Sequence, residues 1–432
     1  MNNASRLSDD AMAGVFEQAL SNSIISNDDT AVIFYDLDFL KVKTDELKNN
    51  MGIKSLNAIA IKANPLVAIL KYLNSWGMGA EAASLPELYL AQKVGFSPDK
   101  IVFDSPAKTN QELAYAIKYG VHVNADSLDE LKRIDDIIKA NGYSGSFGLR
   151  VNPQIGVGKI SITSVAGDYS KFGVPIRQYW QEIIEAFKQY EWLTGIHLHI
   201  GSQGIPVEML VAGVKTVYEL ADGINAALAK SHSRNRIVIF DIGGGMPVSY
   251  SDRDMYPTIK EYADNLKSKV PGLFDGRYTL ITEFGRWVQA NAGWAVSRVE
   301  YIKKQDEFYT AIIHLGADMF VRRCYNPEFW HHDIAVLDRE GCIKSSSGSD
   351  KKYIIGGPLC FAGDIIARDI SLPEINPGDY ILIRDTGAYT LSMWSRYNSR
   401  QVPKIIGYFD KGRKFEILKE RESLEDLYRF WL

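Results

Sequence analysis

GAEAASLPELYLAQKVGFSPDKIVFDSPAKTNQELAYAIKYGVHVNADSLDELKRIDDIIKA, residues 79–140, decides the architecture. Short apolar runs (Gly79–Ala82, Ile101–Phe103, His122–Asn124) alternate here with amphipathic stretches (Leu85–Val94, Asn110–Tyr119, Leu128–Ala140). The short runs read as buried strands and the longer ones as helices, the last opening after Asp126-Ser127, an N-cap signal. Working outward, the alternation continues through Ala58–Ile61, Ser146–Val151, Gly195–His199, Ile237–Asp241 and Thr279–Glu283. Repetition of strand and helix on this scale predicts parallel βα units, and their number favours a (β/α)₈ barrel over an open sheet.

After about residue 290 the pattern changes. Val296–Ile302, Phe308–Ile313, Tyr353–Ile355 and Tyr380–Arg384 read as strands joined by turns such as Asn376-Pro-Gly-Asp, which predicts a β-rich second domain. The run Ala31–Tyr35 fits either sheet. A chain of 432 residues exceeds one ordinary core, so two domains are expected. Net charge is −4, with 46% apolar and 24% charged residues and no basic stripe, which excludes a nucleic-acid footprint. Three cysteines, Cys324, Cys342 and Cys360, are too few and too late for a disulfide framework. Met1 to Asp29 is polar, without signal-peptide character, and no apolar stretch reaches membrane-spanning length. The expectation is a soluble cytoplasmic protein with no membrane partner.

Lys62 lies in Ala58-Ile59-Ala60-Ile61-Lys62-Ala63-Asn64-Pro65, at the end of an apolar run. Burial lowers a lysine's pKa and exposes a nucleophilic amine, as a Schiff-base lysine for pyridoxal phosphate requires; a snorkelling lysine is the plain alternative. Gly243-Gly244-Gly245 follows a strand and reads as a phosphate cradle or as an ordinary turn. In Thr282-Glu283-Phe284-Gly285-Arg286, Glu283 reads as the partner of a protonated pyridine nitrogen or as half of a surface pair with Arg286. His197 and His199 alternate in His197-Leu198-His199-Ile200-Gly201-Ser202-Gln203. No acid or cysteine nearby in sequence completes a metal set, so no metal is expected; an imidazole stacked on a planar cofactor fits better, with Ser202 as a phosphate donor. Cys360, in Gly357-Pro358-Leu359-Cys360-Phe361-Ala362-Gly363-Asp364, is either a buried structural thiol or an exposed proton donor. Gly387-Ala388-Tyr389 presents a phenol to a phosphate.

Together with Ser170-Lys171-Phe172-Gly173, these segments resemble one family, the fold-type III pyridoxal phosphate-dependent decarboxylases, over residues 30 to 410. Ser392-Met393 and Tyr397-Asn398-Ser399-Arg400 are similar to its diaminopimelate branch in particular. The resemblance implies a barrel over residues 37–286. Residues 1–36 and 287–432 would form the β-rich domain, which takes in the N-terminal strand and contributes to the active site and dimer interface. It implies that Lys62 holds the cofactor covalently, that His199 stacks on its ring and that Glu283 binds the pyridine nitrogen. Ser202, Gly243, Gly244, Gly245, Gly285, Arg286 and Tyr389 would hold the phosphate. Cys360 would return a proton after CO₂ leaves, reaching the site of the partner subunit in a head-to-tail homodimer. Arg286, Arg322, Tyr325, Phe361 and Tyr389 would face the amino-acid substrate.

Phe361 departs from the resemblance, because the family places a carboxylate there to read a distal ammonium. Tyr325 also stands one place early, Asn326 taking its position, and Phe284 replaces a proline. Retained arginines with a lost carboxylate predict a diaminopimelate-like or related substrate with a distal carboxylate but without a free distal amine, a dicarboxylic amino acid being one candidate. An N-acylated or otherwise modified diamino acid of siderophore-type metabolism is the second expectation. Alternatively Phe361 is packing and Glu328 or Asp333 reads an amine. An alanine-racemase-like isomerase and an inactive regulatory relative are the remaining readings; the retained Lys62 and Cys360 speak against the latter.

Overall fold

The strands of the first unit are short and almost wholly buried, which is what a sheet covered on both faces demands. In the computed structural model, eight of them pair in parallel. The order is His122–Ala125, Ile101–Phe103, Gly79–Ala82, Ser55–Ala60, Thr279–Thr282, Ile239–Asp241, Leu193–His197 and Ser146–Asn152. The last pairs with the first, Ser146 opposite His122, and closes the barrel. Described are all residues except 1–5, 53, 232, 234, 253, 255, 347 and 349. The first five positions of the expected 1–36 segment therefore lie outside the described residues.

The connecting helices stop and start where their sequences dictate. Ser127 caps Leu128–Asn141 by accepting from the Glu130 N–H, and Thr109 with Glu112 forms a capping box on Asn110–Tyr119. Gly95 and Gly120 end their helices in the left-handed conformation. This unit comprises Lys43–Val248 with Tyr256–Val288.

The second unit, Met1–Val42 with Ser249–Met255 and Gln289–Leu432, is built on the long strand Gly293–Gln305. It pairs antiparallel with Ala31–Asp36, Phe308–Ile313 and Tyr380–Ile383. The N-terminal strand thus belongs to the β-rich sheet, and it also runs parallel to Lys404–Phe409. Helix Asp9–Ser21 lays Met12, Val15, Phe16 and Ala19 on this sheet against Phe34, Trp294 and Tyr408. Phe34 stacks on Trp294 at 4.2 Å, and burying Phe16 contributes on the order of 2 kcal/mol.

Several element bounds differ from expectation, and two of these differences bear on the site. The strand expected over Gly195–His199 runs from Leu193 to His197, because its neighbour Ile239–Asp241 turns away at the three glycines. The strand before Lys62 ends at Ala60, and Ile61–Ala63 form one tight turn closed by Asn64 N–H donating to the Ile61 carbonyl.

Candidate active site

All eight barrel strands deliver a polar residue at or just past their carboxyl ends. They are Lys62, Glu81, Asp104, Asn124, Arg150, His197, Asp241 and Glu283, and apart from Lys62 each is buried. Parallel strands put all these ends on one side of the barrel, where such folds place their chemistry.

Lys62 sits on the tight turn, its side chain 36% exposed, and its Nζ pairs with Glu81 at 2.7 Å. The apolar surroundings expected around this amine are therefore replaced by an ion pair at the barrel mouth. Glu81 is fully buried, and desolvation pushes its carboxyl up to about 7 against the pull of Lys62. Asp104 is the opposite case. Burial works to raise it, but the Arg150 guanidinium 3.4 Å away, with other nearby charge, holds it well below the usual carboxylate range.

Glu283 follows the strand Thr279–Thr282, and burial pushes its pKa well up, with Asp241, Glu81 and Asp104 adding to the effect. Neither of its carboxylate oxygens receives a hydrogen bond among the described residues. His197 Nε2 lies 3.8 Å from Glu283 and 3.7 Å from Asp104, and both ring nitrogens of His197 lack hydrogen-bond partners among the described residues. The expectation that no acid stands by the histidines is thus corrected, since folding brings Asp104 and Glu283 from distant strands. Asp104 is already paired with Arg150, and burial keeps His197 neutral, its pKa lowered to about 3. His199, past the strand end, is also kept neutral by burial; its Nδ1 accepts from the Gly244 N–H at 3.1 Å.

The glycine run packs where no side chain fits. A Cβ on Gly243 would stand 2.5 Å from the Leu198 carbonyl oxygen, and one on Gly244 2.6 Å from that of Glu283. Gly243 also has a φ of +65°. Gly285 is equally confined, its Cβ position 2.8 Å from that of Ala63. Arg286 is buried and donates from Nε and Nη2 to Ser202 Oγ at 3.2 and 3.1 Å. That pairing sets Arg286 beside a hydroxyl assigned to phosphate.

The remaining residues lie in the β-rich unit and fall into two groups. Arg322 is sandwiched between the rings of Trp330 and Tyr389, at 4.7 and 4.5 Å. Phe361 stacks on Tyr325 at 5.0 Å and 16°. Cys360 is exposed, its N–H donating to Asn398 Oδ1 and its carbonyl accepting from the Tyr397 hydroxyl. Asp333 is held by Arg6 and His331, which removes it as a reader of an amine, while Glu328 is exposed.

A pyridoxal phosphate molecule needs an amine, an acid for its ring nitrogen and donors for its phosphate. Lys62, the unbonded oxygens of Glu283, and the Gly243–Gly245 backbone with Ser202 and Arg286 match those needs within one unit. Glu81, Asp104, Asn124, Arg150 and Asp241 escaped the sequence reading. The signal for them was a lone polar residue closing each short apolar run.

Residues 37–290 match the model of the pyridoxal-dependent decarboxylase family, pyridoxal binding domain. The chain is 33% identical over 405 residues to diaminopimelate decarboxylase of Helicobacter pylori strain J99, covering 92% of this chain and 94% of that one. It is 32% identical over 380 residues to diaminopimelate decarboxylase of Methanothermobacter thermautotrophicus, covering 86% and 83%. The crystal structure of a Helicobacter pylori diaminopimelate decarboxylase variant complexed with L-lysine superposes with a TM-score of 0.85. That match is at 30% identity, over 95% of this chain and 99% of the other.

Proposed function

The chain belongs to the pyridoxal-dependent decarboxylases and is a pyridoxal phosphate-dependent amino-acid decarboxylase; from that premise we propose that its substrate bears a second carboxylate at the far end, meso-diaminopimelate being the first candidate. The observation that carries the cofactor reading is the pair of buried Glu283 oxygens that receive no hydrogen bond beside the Lys62 amine. The relatives favour neither an isomerase, nor an inactive regulator, nor an acyl-modified substrate.

Bound pyridoxal phosphate supplies the sink for the electron pair left when the Cα–carboxylate bond breaks. This chain's residues do the rest. Lys62 Nζ would hold the cofactor. Glu283 would hold a proton at the ring nitrogen, and His199, kept neutral by burial, would present its ring. Gly243–Gly245, Ser202 and Arg286 would anchor the phosphate. Cys360 returns a proton to Cα.

The exposed position of Cys360 on its loop supports its delivery to a second copy of the chain, and so a homodimer with shared sites. Three free cysteines support a reducing compartment, the cytoplasm. Among the described residues no helix is long and apolar enough to cross a membrane.

The Arg322 guanidinium, lying across the Tyr389 ring, supports recognition of a distal carboxylate. Phe361, stacked on Tyr325, supplies no carboxylate to the distal ammonium of ornithine or lysine, whereas a far-end carboxylate gives Arg322 a charged partner. Mass spectrometry of the products from meso-diaminopimelate, L-glutamate, L-ornithine and L-lysine tests the proposal, with Lys62→Ala as the blank. Faster turnover of a dicarboxylate is expected. Faster loss of CO₂ from ornithine or lysine would overturn it.

A further inference from the structure

We infer that Asp241 is a positioning residue for Glu283: at pH 8 it is the anion of a buried carboxyl pair, so that Glu283 holds the single proton which a docking pyridine nitrogen takes over. The inference rests on the cofactor site proposed above.

Asp241 ends the strand Ile239–Asp241 and is fully buried. Its Oδ1 accepts from the Gly243 N–H at 2.9 Å and its Oδ2 from Asn124 Nδ2 at 3.2 Å. Asn124 is oriented in turn, its Oδ1 lying 3.0 Å from His122 Nε2, while His122 Nδ1 lies 2.8 Å from Ser146 Oγ. Because the Asn124 amide nitrogen faces a carboxylate, its oxygen must accept. His122 therefore carries its proton on Nε2, and Ser146 donates to Nδ1. Burial keeps this histidine neutral, its pKa lowered to about 4. All the donors run one way, toward Asp241.

Glu283 follows the neighbouring strand, whose Ile281 pairs with Asp241, and its own N–H donates to the Gly243 carbonyl at 2.8 Å, yet no N–H or hydroxyl among the described residues donates to its carboxyl. Two carboxyl groups this close in a dry site cannot both ionise. Two accepted N–H bonds favour the charged form of Asp241, and their lack favours neutral Glu283. The other groups facing Glu283 are Glu81, Asp104 and Lys62, with His197 and His199 both neutral. Asp104 is compensated by Arg150 and faces Asp241 as well, so its charge opposes ionisation of both partners. The asymmetry between the two thus comes from the donor chain.

When a pyridine nitrogen docks, its lone pair takes the Glu283 proton. The O–H bond breaks, the N–H bond forms, Glu283 becomes a carboxylate, and no proton is drawn from solvent. The neighbouring Asp241 charge then holds that proton on the ring.

Infrared difference spectroscopy of the unmodified apoprotein at pH 8, with and without added pyridoxal phosphate, tests this. A protonated-carboxyl band should disappear on binding, and the same loss should be missing in Glu283→Gln. In Asp241→Asn the band should weaken, because Glu283 loses its neighbouring charge while burial still favours the neutral form. Calorimetric titrations in buffers of different ionisation enthalpy should show this variant taking up more protons per site than the unmodified protein. Its kcat should fall with little change in KM. Bound cofactor, seen by its visible absorbance, without loss of a carboxyl band would overturn the role of Asp241. Protein that takes up no cofactor at all would overturn the site itself.

Discussion

Replacing Gly244 by alanine isolates the glycine cradle from every side chain around it. The added methyl would meet the Glu283 carbonyl oxygen at 2.6 Å and His199 Cε1 at 3.4 Å. Ordinary contact requires the first pair to separate by about 1 Å, and the obstacle is backbone, which does not swing aside. Gly244 also donates to His199, so the displacement reaches both the acid for the ring nitrogen and the ring beside it. Overpacking of this kind costs about 1–3 kcal/mol. Spent on the bound state, that weakens cofactor binding roughly 5- to 150-fold. Titration of the apoprotein with pyridoxal phosphate, followed by visible absorbance, gives the dissociation constant. Gly223→Ala is the control. It lies in helix Val207–Lys230 with its nearest neighbour 3.9 Å away, and should gain about 0.5–1 kcal/mol of stability without touching the cofactor. A Gly244→Ala protein that binds the cofactor as tightly as the unmodified one would refute the cradle.

The remaining predictions concern pH and metal. Burial raises Asp241 from 3.8 to about 7 in the folded protein. The folded state therefore binds the proton more tightly than the unfolded chain, and this contribution is complete below about pH 4 and lost as pH rises through about 7. Urea midpoints of the apoprotein should fall relative to those of Asp241→Asn across that window; a constant difference would contradict the shift. Prolonged dialysis against EDTA, followed by reconstitution with pyridoxal phosphate, should leave turnover unchanged, because Asp104 is spoken for by Arg150. Activity restored only by added zinc would reverse that reading of the Asp104–His197–Glu283 cluster.

The barrel was legible because its strands and helices differ in period, and Gly79–Ala82, Ile101–Phe103, Leu85–Val94 and Asn110–Tyr119 fall where the pattern puts them. Four strands of the other unit were missed: Ile334–Leu337, Ile365–Leu372, Lys404–Phe409 and Lys414–Lys419. Ile365–Leu372 is interrupted by Arg368-Asp369, and its ladder with Lys351–Gly356 slips register there, which destroys the alternation a reader relies on. Lys404–Phe409 gains its partner from the other end of the chain, nearly 400 residues earlier, and no local pattern encodes that. The same limit applies to the site. Lys62, Glu283 and the glycines sit among turn formers that mark them, whereas Glu81 and Asp104 look like surface residues until the strands close into a ring.

Four acids, Glu81, Asp104, Asp241 and Glu283, converge on a site with few cations to balance them. Filling it is therefore an event for the whole fold as well as for catalysis. A ligand that binds only the closed ring stabilises it by about 2.7 kcal/mol at a hundredfold excess over its dissociation constant. Cellular supply of the vitamin would then set how long each copy survives, with starved chains opening first and meeting proteases first.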